Sequence, residues 1–267
     1  MTDEPSYFVV LKQSDRFDLQ GLADVLSRSL AIHRLDATTQ LKRTWGLLHK
    51  TPELEKAQEL QQEFERAGME TFVLPVSELR AVPEPKVLKN AIPEPEVLAY
   101  EEEGEGKSLP WNGVILLCAG EIEESMSVKE TLPPDGKVKK WLMRTGLSVT
   151  TAVAVSYERS KKREVTKQEA SSSYYLDLIA KDDFESVRIL GDSFDYSYLG
   201  RRMGYNAVLN FKTLVLDVGN FLVNVIRNQG MRAMETGGLM RELKYGGYDD
   251  YENEKLWLMQ LSRHSVH

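Results

Sequence analysis

Apolar positions along this chain change period several times, and each change marks an element. YFVVLK (Tyr7 to Lys12) reads as a strand. Leu19, Leu22, Ala23, Leu26 and Leu30 then recur at helical spacing behind Asp18, a residue suited to an N-cap. LDATTQLKR predicts a second helix capped at Asp36, and WGLLHK a short strand. Thr51 and Pro52 sit at the cap and first turn of a third helix, with Glu53 favouring its dipole; Leu54, Ala57, Leu60, Phe64 and Ala67 mark one face and Gly68 the stop. METFVLP closes the series as a strand. The order β-α-α-β-α-β predicts one small domain over residues 1–80.

The pattern then turns to β. AVPEPKVLKN and AIPEPEVLAY form a near repeat that reads as strands, each proline pair standing at a strand start; the alternative is a proline-stiffened linker. GEG (Gly104 to Gly106) predicts a turn into a single strand, KSLPWNGVILLCAG. Residues 126–146 read as a loop with a short helix, LSVTTAVAVSYE as a strand and RSKKREVTKQEASSS as a loop. YYLDLIA and SVRILGD flank the turn KDDFE as a hairpin. From Tyr205 to Asn228 apolar residues leave almost no polar face, as in a buried helix, and Lys212 and Asp217 argue against a membrane span. YDDYENEKLWLMQL carries Tyr251, Glu254, Leu258 and Leu261 on one stripe and predicts a docked terminal helix. The expected fold class is α+β: the 1–80 domain, an antiparallel barrel or sheet with a buried helix over 81–228, and a helical extension over 229–267.

YFVVLK, the leucine-patterned helix, LDATTQLKR, the strand near Leu47 and PELEKAQELQQEFERAGMETFVL together resemble the C-terminal domain of the bacterial ribosomal stalk protein and the related N-degron adaptor of the Clp protease. That resemblance spans residues 7–76 and implies protein binding. In the degron adaptor an Asn-Asp-Asp run after the first strand and a later histidine hold the ligand. Gln13, Ser14 and Asp15 stand there in this chain and LKRTW has no histidine, so only Asp15 carries over. The stalk domain's basic surface is represented by Lys42 and Arg43. Residues 81–226 are similar, in order of elements only, to a pleckstrin-homology-like barrel.

Composition narrows the function. A net charge of -7 disfavours nucleic acid as a partner. Cys118 stands alone in an apolar run, which predicts a buried, inert thiol and a cytoplasmic setting. His33, His49, His264 and His267 lack metal-ligand spacing, so no metal or cofactor is expected. GEGKS lacks the first glycine of a phosphate loop, which Glu101 replaces, and leads into a strand.

Asp192, Asp195, Tyr196 and Tyr198 form a polar-aromatic corner that reads as capping and packing, with a binding or acid-base site as the alternative. Basic residues gather in 137–167, and Lys161, Lys162 and Arg163 are their densest run. They are candidates for contact with an acidic partner or an anionic lipid surface. The leading expectation is a non-enzymatic adaptor that binds another protein through Asp15, Lys42, Arg43, Lys161, Lys162 and Arg163. A peripheral lipid-binding module and an enzyme using Asp192 and Asp195 are the alternatives, and self-association is left open.

Overall fold

Strand β1 (Tyr7–Leu11) is bonded along both edges, antiparallel to β2 (Leu47–Thr51) and to β3 (Thr71–Pro75), so the first sheet has the order β2-β1-β3. The computed structural model describes residues 5–15, 17–132, 163–237 and 244–262, with side chains described in all of these except 123–132 and 163–171. Two compact units are present, Met1–Ile122 with Ser173–His267, and Glu123–Ser172.

Three helices carry the leucine pattern onto this sheet. Helix α1 (Leu19–Leu30) starts at Asp18, whose Oδ1 accepts from the backbone N–H of Gln20 and Gly21 at 3.1 and 3.2 Å. Such a cap stabilises a helix by about 1 kcal/mol. Helix α2 (Arg34–Thr44) begins earlier than the expected cap at Asp36. His33 Nδ1 accepts from Leu35 N at 3.2 Å, and Asp36 lies in the first turn. Helix α3 (Leu54–Arg66) follows Glu53 rather than Thr51, because the Thr51 hydroxyl accepts from Glu53 N and holds the entering chain in a turn. Leu22, Ala23, Leu26, Ala57, Leu60 and Phe64 are buried, as their spacing predicts, and Ala37 and Leu41 of α2 join them; Leu54 and Ala67, at the two ends of the face expected on α3, are exposed.

Two further sheets follow, a mixed second one that begins with β4 (Lys86–Leu88) and a separate antiparallel third one of three strands, β5 (Ile92–Pro93), β6 (Val97–Glu102) and β7 (Glu105–Pro110). Strand β4, short β5 and β6 confirm strands over the near repeat. Strand β7 pairs with β6 through a two-residue turn in which Glu103 and Gly104 have φ of 51° and 85°. Both central residues in the left-handed region make the tight hairpin turn whose twist matches the strands. The expected single strand from Lys107 breaks at Trp111–Gly113, after Pro110, where Trp111 turns its Nε1 onto the Glu94 carbonyl at 2.8 Å.

Strand β8 (Val114–Leu132) takes in residues 126–132, read from sequence as loop; Met126, Val128 and Leu132 keep a strand's alternation there. Strand β9 (Arg163–Ala180) likewise replaces the loop expected over 163–173. The strand expected over 147–158 lies outside the described residues. β9 and β10 (Val187–Leu190) form the expected hairpin, antiparallel with Arg188 opposite Asp177. β4 adds parallel to β10, so the sheet is not wholly antiparallel.

Helix α4 (Ala207–Phe221) is buried along Phe211, Leu214, Val215 and Val218, but it is shorter than the run from Tyr205 to Asn228. Arg227 folds back on its end, donating to the carbonyls of Gly219, Leu222, Val223 and Val225 at 2.8–3.3 Å. The β-branched residues Val223, Val225 and Ile226 favour extended chain, and β11 (Ile226–Arg227) pairs parallel with β8. Helix α5 (Gln229–Glu235), β12 (Lys244–Tyr245) and helix α6 (Tyr248–Leu261) complete the described chain. Helices and sheets together make an α+β fold, and no described helix is long and apolar enough to cross a membrane.

Residues 1–80 do not have a core of their own. Trp257 and Leu258 of α6 share one apolar cluster with Val9, Leu26, Leu41 and Leu48, and Ile122 and Ile179 of the second sheet join it. The Trp257 Nε1 donates to the Leu11 carbonyl at 2.8 Å. Gly46 leaves room for that ring, since a Cβ there would lie 1.9 Å from Trp257.

Candidate functional site

The polar groups that matter most to this unit are buried where α6 crosses the β9–β10 hairpin. Asp177 stands inside the apolar run YYLDLIA, and Arg188 inside SVRIL; the register sets them opposite each other. Their side chains pair through two bonds of 2.6 Å each. Lys255, fully buried on α6, adds its Nζ to Asp177 Oδ2 at 2.6 Å and to Glu252 Oε1 at 2.8 Å, and Glu252 also meets Arg188 at 3.0 Å. Arg188 further reaches the Tyr248 hydroxyl and lies 5.1 Å from the Tyr175 ring centre. Two cations thus face two carboxylates with their donors matched. Burial works against charge on Glu252, yet Lys255, Tyr248 and Arg188 hold its carboxyl below the usual range.

In the same turn of α6, Glu254 is 2% exposed and accepts from the Tyr245 hydroxyl and from Gln229 N, the latter at 2.8 Å. Burial pushes its carboxyl up to about 7, although Tyr245, Gln229 N, Arg232 and Asn228 pull the other way. Asn228 brackets Ala119, accepting from its N–H at 2.9 Å and donating to its carbonyl at 2.8 Å, and donates also to the Tyr245 hydroxyl. Glu254 has the pKa of an acid–base group, but no substrate can reach hydrogen-bond distance of a side chain so enclosed. Both clusters therefore act as fasteners between α6 and the second sheet.

The structure disperses the candidates read from sequence. Asp15 is exposed in the turn after β1, and Arg232 of α5 holds the neighbouring Ser14 by its hydroxyl at 2.8 Å and by its carbonyl. Lys42 and Arg43 lie in the exposed last turn of α2, where Arg43 faces Asp249 and Asp250 at the start of α6. Burial raises the Asp250 carboxyl and Arg43 lowers it. Lys161 and Lys162 lie outside the described residues, and Arg163 opens β9.

At the corner, Asp195 accepts from Ser197 N at 2.9 Å and from its hydroxyl at 3.1 Å, while Asp192 is exposed. The Tyr196 hydroxyl donates to Gly191 O at 2.8 Å, and Tyr198 donates to Asp217, which Arg202 grips with two bonds of 2.8 Å. Burial raises both phenols. These contacts are those of a capped turn. Cys118 is fully buried, and burial raises its thiol well above the usual range. Among the described residues no group of His, Cys, Asp and Glu is placed to hold a metal ion.

Sequence reasoning did not single out the groove where α4 ends. It has a volume of about 580 Å³ and is lined by Trp111, Ile115, Phe221, Val223, Val225 and Lys181. Trp111 and Phe221 stack with ring centres 5.4 Å apart and planes 5° from parallel. Val223 is 72% exposed and Phe221 38%, an apolar exposure created by the fold-back on Arg227. The signal was NFLVN itself, a run too apolar for the end of a surface helix. No protein-family model, curated protein or solved structure matches this chain.

Proposed function

We propose that this protein is a non-enzymatic cytoplasmic adaptor that holds another protein, and that the groove beside Trp111 and Phe221 is where it does so. The observation that supports the reading is a concavity left open on the surface, in which Ile115, Phe221, Val223 and Val225 stand among Asn112, Asn224 and Ser262 beside a stacked aromatic pair. Apolar patches of this kind mark interaction sites, and aromatic residues dominate the energetics of such surfaces. Buried, unreactive Cys118 supports the reducing compartment.

The test is retention of proteins from a cell lysate on the immobilised whole chain and on its Val223→Asp variant. Val223 is mostly exposed, so the substitution leaves the fold intact. A protein held by the wild type and released by the variant is the expected result. Equal retention on both would remove the groove from the proposal.

A further inference from the structure

A second exposed apolar group stands at the other end of α4, about 18 Å along the helix from Phe221. Tyr205 is 90% exposed and Met203 49%, and Leu209, in the first turn of α4, is exposed beside them. None of the three lines the groove. The turn that carries them is held from several sides. Met203 N donates to the Gly200 carbonyl at 3.2 Å, Gly204 N donates to Asn210 Oδ1 at 2.6 Å, and Asn206 Oδ1 accepts from Leu209 N at 2.8 Å. Gly204 lies against Leu209, where a Cβ would come within 3.1 Å of the Leu209 Cβ. Met203, Tyr205 and Leu209 therefore share one fixed turn, and the Tyr205 side chain projects from it.

The charge beside this turn runs against that of the chain. From Gly200 to Leu216 the sequence carries Arg201, Arg202 and Lys212 and no acid, in a protein of net charge -7. Arg202 is engaged by Asp217 through two bonds of 2.8 Å. Arg201 is exposed and Lys212 half-buried, and neither has an acid partner among the described residues. The acids that precede the turn are directed elsewhere. Asp195 is turned onto Ser197. Asp192 follows Gly191, which packs on the Phe211 ring, and Phe211 lies about 200° round α4 from Leu209. Charges are felt over about 8 Å at physiological salt, so a surface approaching Tyr205 meets local cations and not the net charge.

We propose that this end of α4 docks on an anionic lipid surface, with Met203, Tyr205 and Leu209 entering the interfacial layer and Arg201 and Lys212 meeting the headgroups. A projecting tyrosine needs a matching socket on a protein, whereas a fluid interface yields to it, and tyrosine rings favour headgroup depth. Lipid phosphates and carboxylates supply the complementary charge, and each lysine or arginine near such a surface adds to the attraction. The segment is separate from the basic stretch 137–167, and the docking adds a location to the adaptor reading without depending on it.

The test is co-sedimentation of the whole chain with phosphatidylcholine vesicles and with phosphatidylcholine vesicles that carry phosphatidylserine. Binding to the anionic vesicles is expected to be at least about tenfold tighter and to fall steeply with salt. The double variant Met203→Ser, Tyr205→Ser is expected to weaken it by about tenfold. The double variant Arg201→Glu, Lys212→Glu is expected to remove the preference for the anionic vesicles. These four side chains are exposed or half-buried, and circular dichroism checks that both variants keep the fold.

Equal binding to both kinds of vesicle, or no binding to either, would overturn the proposal. Binding that responds to the charge variant but not to Met203→Ser, Tyr205→Ser would show headgroup attraction without the apolar turn and overturn it as well. A lysate protein, or a second copy of this chain, held by the wild type and lost from Met203→Ser, Tyr205→Ser would assign the turn to a protein partner and overturn it too. None of these results bears on the groove, which the lysate comparison with Val223→Asp decides separately.

Discussion

Replacing Asp177 by alanine removes one carboxylate from between two buried cations, and its cost follows from what is left behind. Arg188 loses both of its 2.6 Å bonds to that residue, and Lys255, fully buried, loses one of its two carboxylate partners. The remaining cluster holds two cations against Glu252 alone. Breaking a buried pair from one side costs about 3–5 kcal/mol, because the surviving charge stays desolvated. With a urea slope near the upper end of the usual range, about 3 kcal/mol per molar, the unfolding midpoint falls by roughly 1 to 2 M.

Lys255→Met added to Asp177→Ala restores neutrality, with Arg188 facing Glu252. The double variant is therefore expected to be less destabilised than the sum of the singles, by about 1–3 kcal/mol. Urea unfolding of the four proteins, followed by circular dichroism, gives the whole cycle. A loss below about 1 kcal/mol for Asp177→Ala, or strict additivity in the double variant, would refute the reasoning that these charges are mutually dependent.

Two further outcomes are expected. Glu254 has its carboxyl raised to about 7, so between its ordinary value and 7 the folded chain holds a proton that the unfolded chain has released. Stability therefore falls as pH rises through that window, by about 3 kcal/mol in total, and is flat above it. Glu254→Gln should remove this contribution, and urea midpoints of both proteins at pH 5 and pH 8 measure it; identical slopes would contradict the assignment. Gly46→Ala puts a methyl carbon into the Trp257 ring, so it should destabilise by about 1–3 kcal/mol and shift tryptophan emission to the red. Unchanged emission and midpoint would show that the ring has room to move.

The first sheet and its helices were legible because apolar period, caps and stops agreed along Leu22, Leu26, Ala57, Leu60 and Gly68. Caps themselves were legible only to within a few residues: His33, not Asp36, receives the Leu35 N–H. The end of α4 was illegible because apolar spacing does not distinguish a buried helix from a buried strand, and Arg227, which ends it, acts from outside the helix. The ionic cluster was half visible. Asp177 and Arg188 were the polar intruders in two strands read as a hairpin, but symmetric alignment about KDDFE sets Arg188 opposite Leu178, and the observed register, one residue away, brings it to Asp177. Lys255 carried no such sign, since in sequence it belongs to a charged stretch, YENEK, and only the crossing of α6 buries it. The groove depends on a chain reversal and lay beyond any local pattern.

The bond from Trp257 to Leu11 spans 246 positions of sequence. At a synthesis rate of about 5–20 residues per second, strand β1 therefore leaves the ribosome roughly 12 to 50 seconds before the side chain that covers it. During that interval Leu48, Leu41 and the face beside Gly46 lack their lid, and the nascent chain has an apolar surface that the finished fold covers. Arrested nascent chains would report this directly: protease resistance of the first sheet should appear only once residue 257 has cleared the exit tunnel.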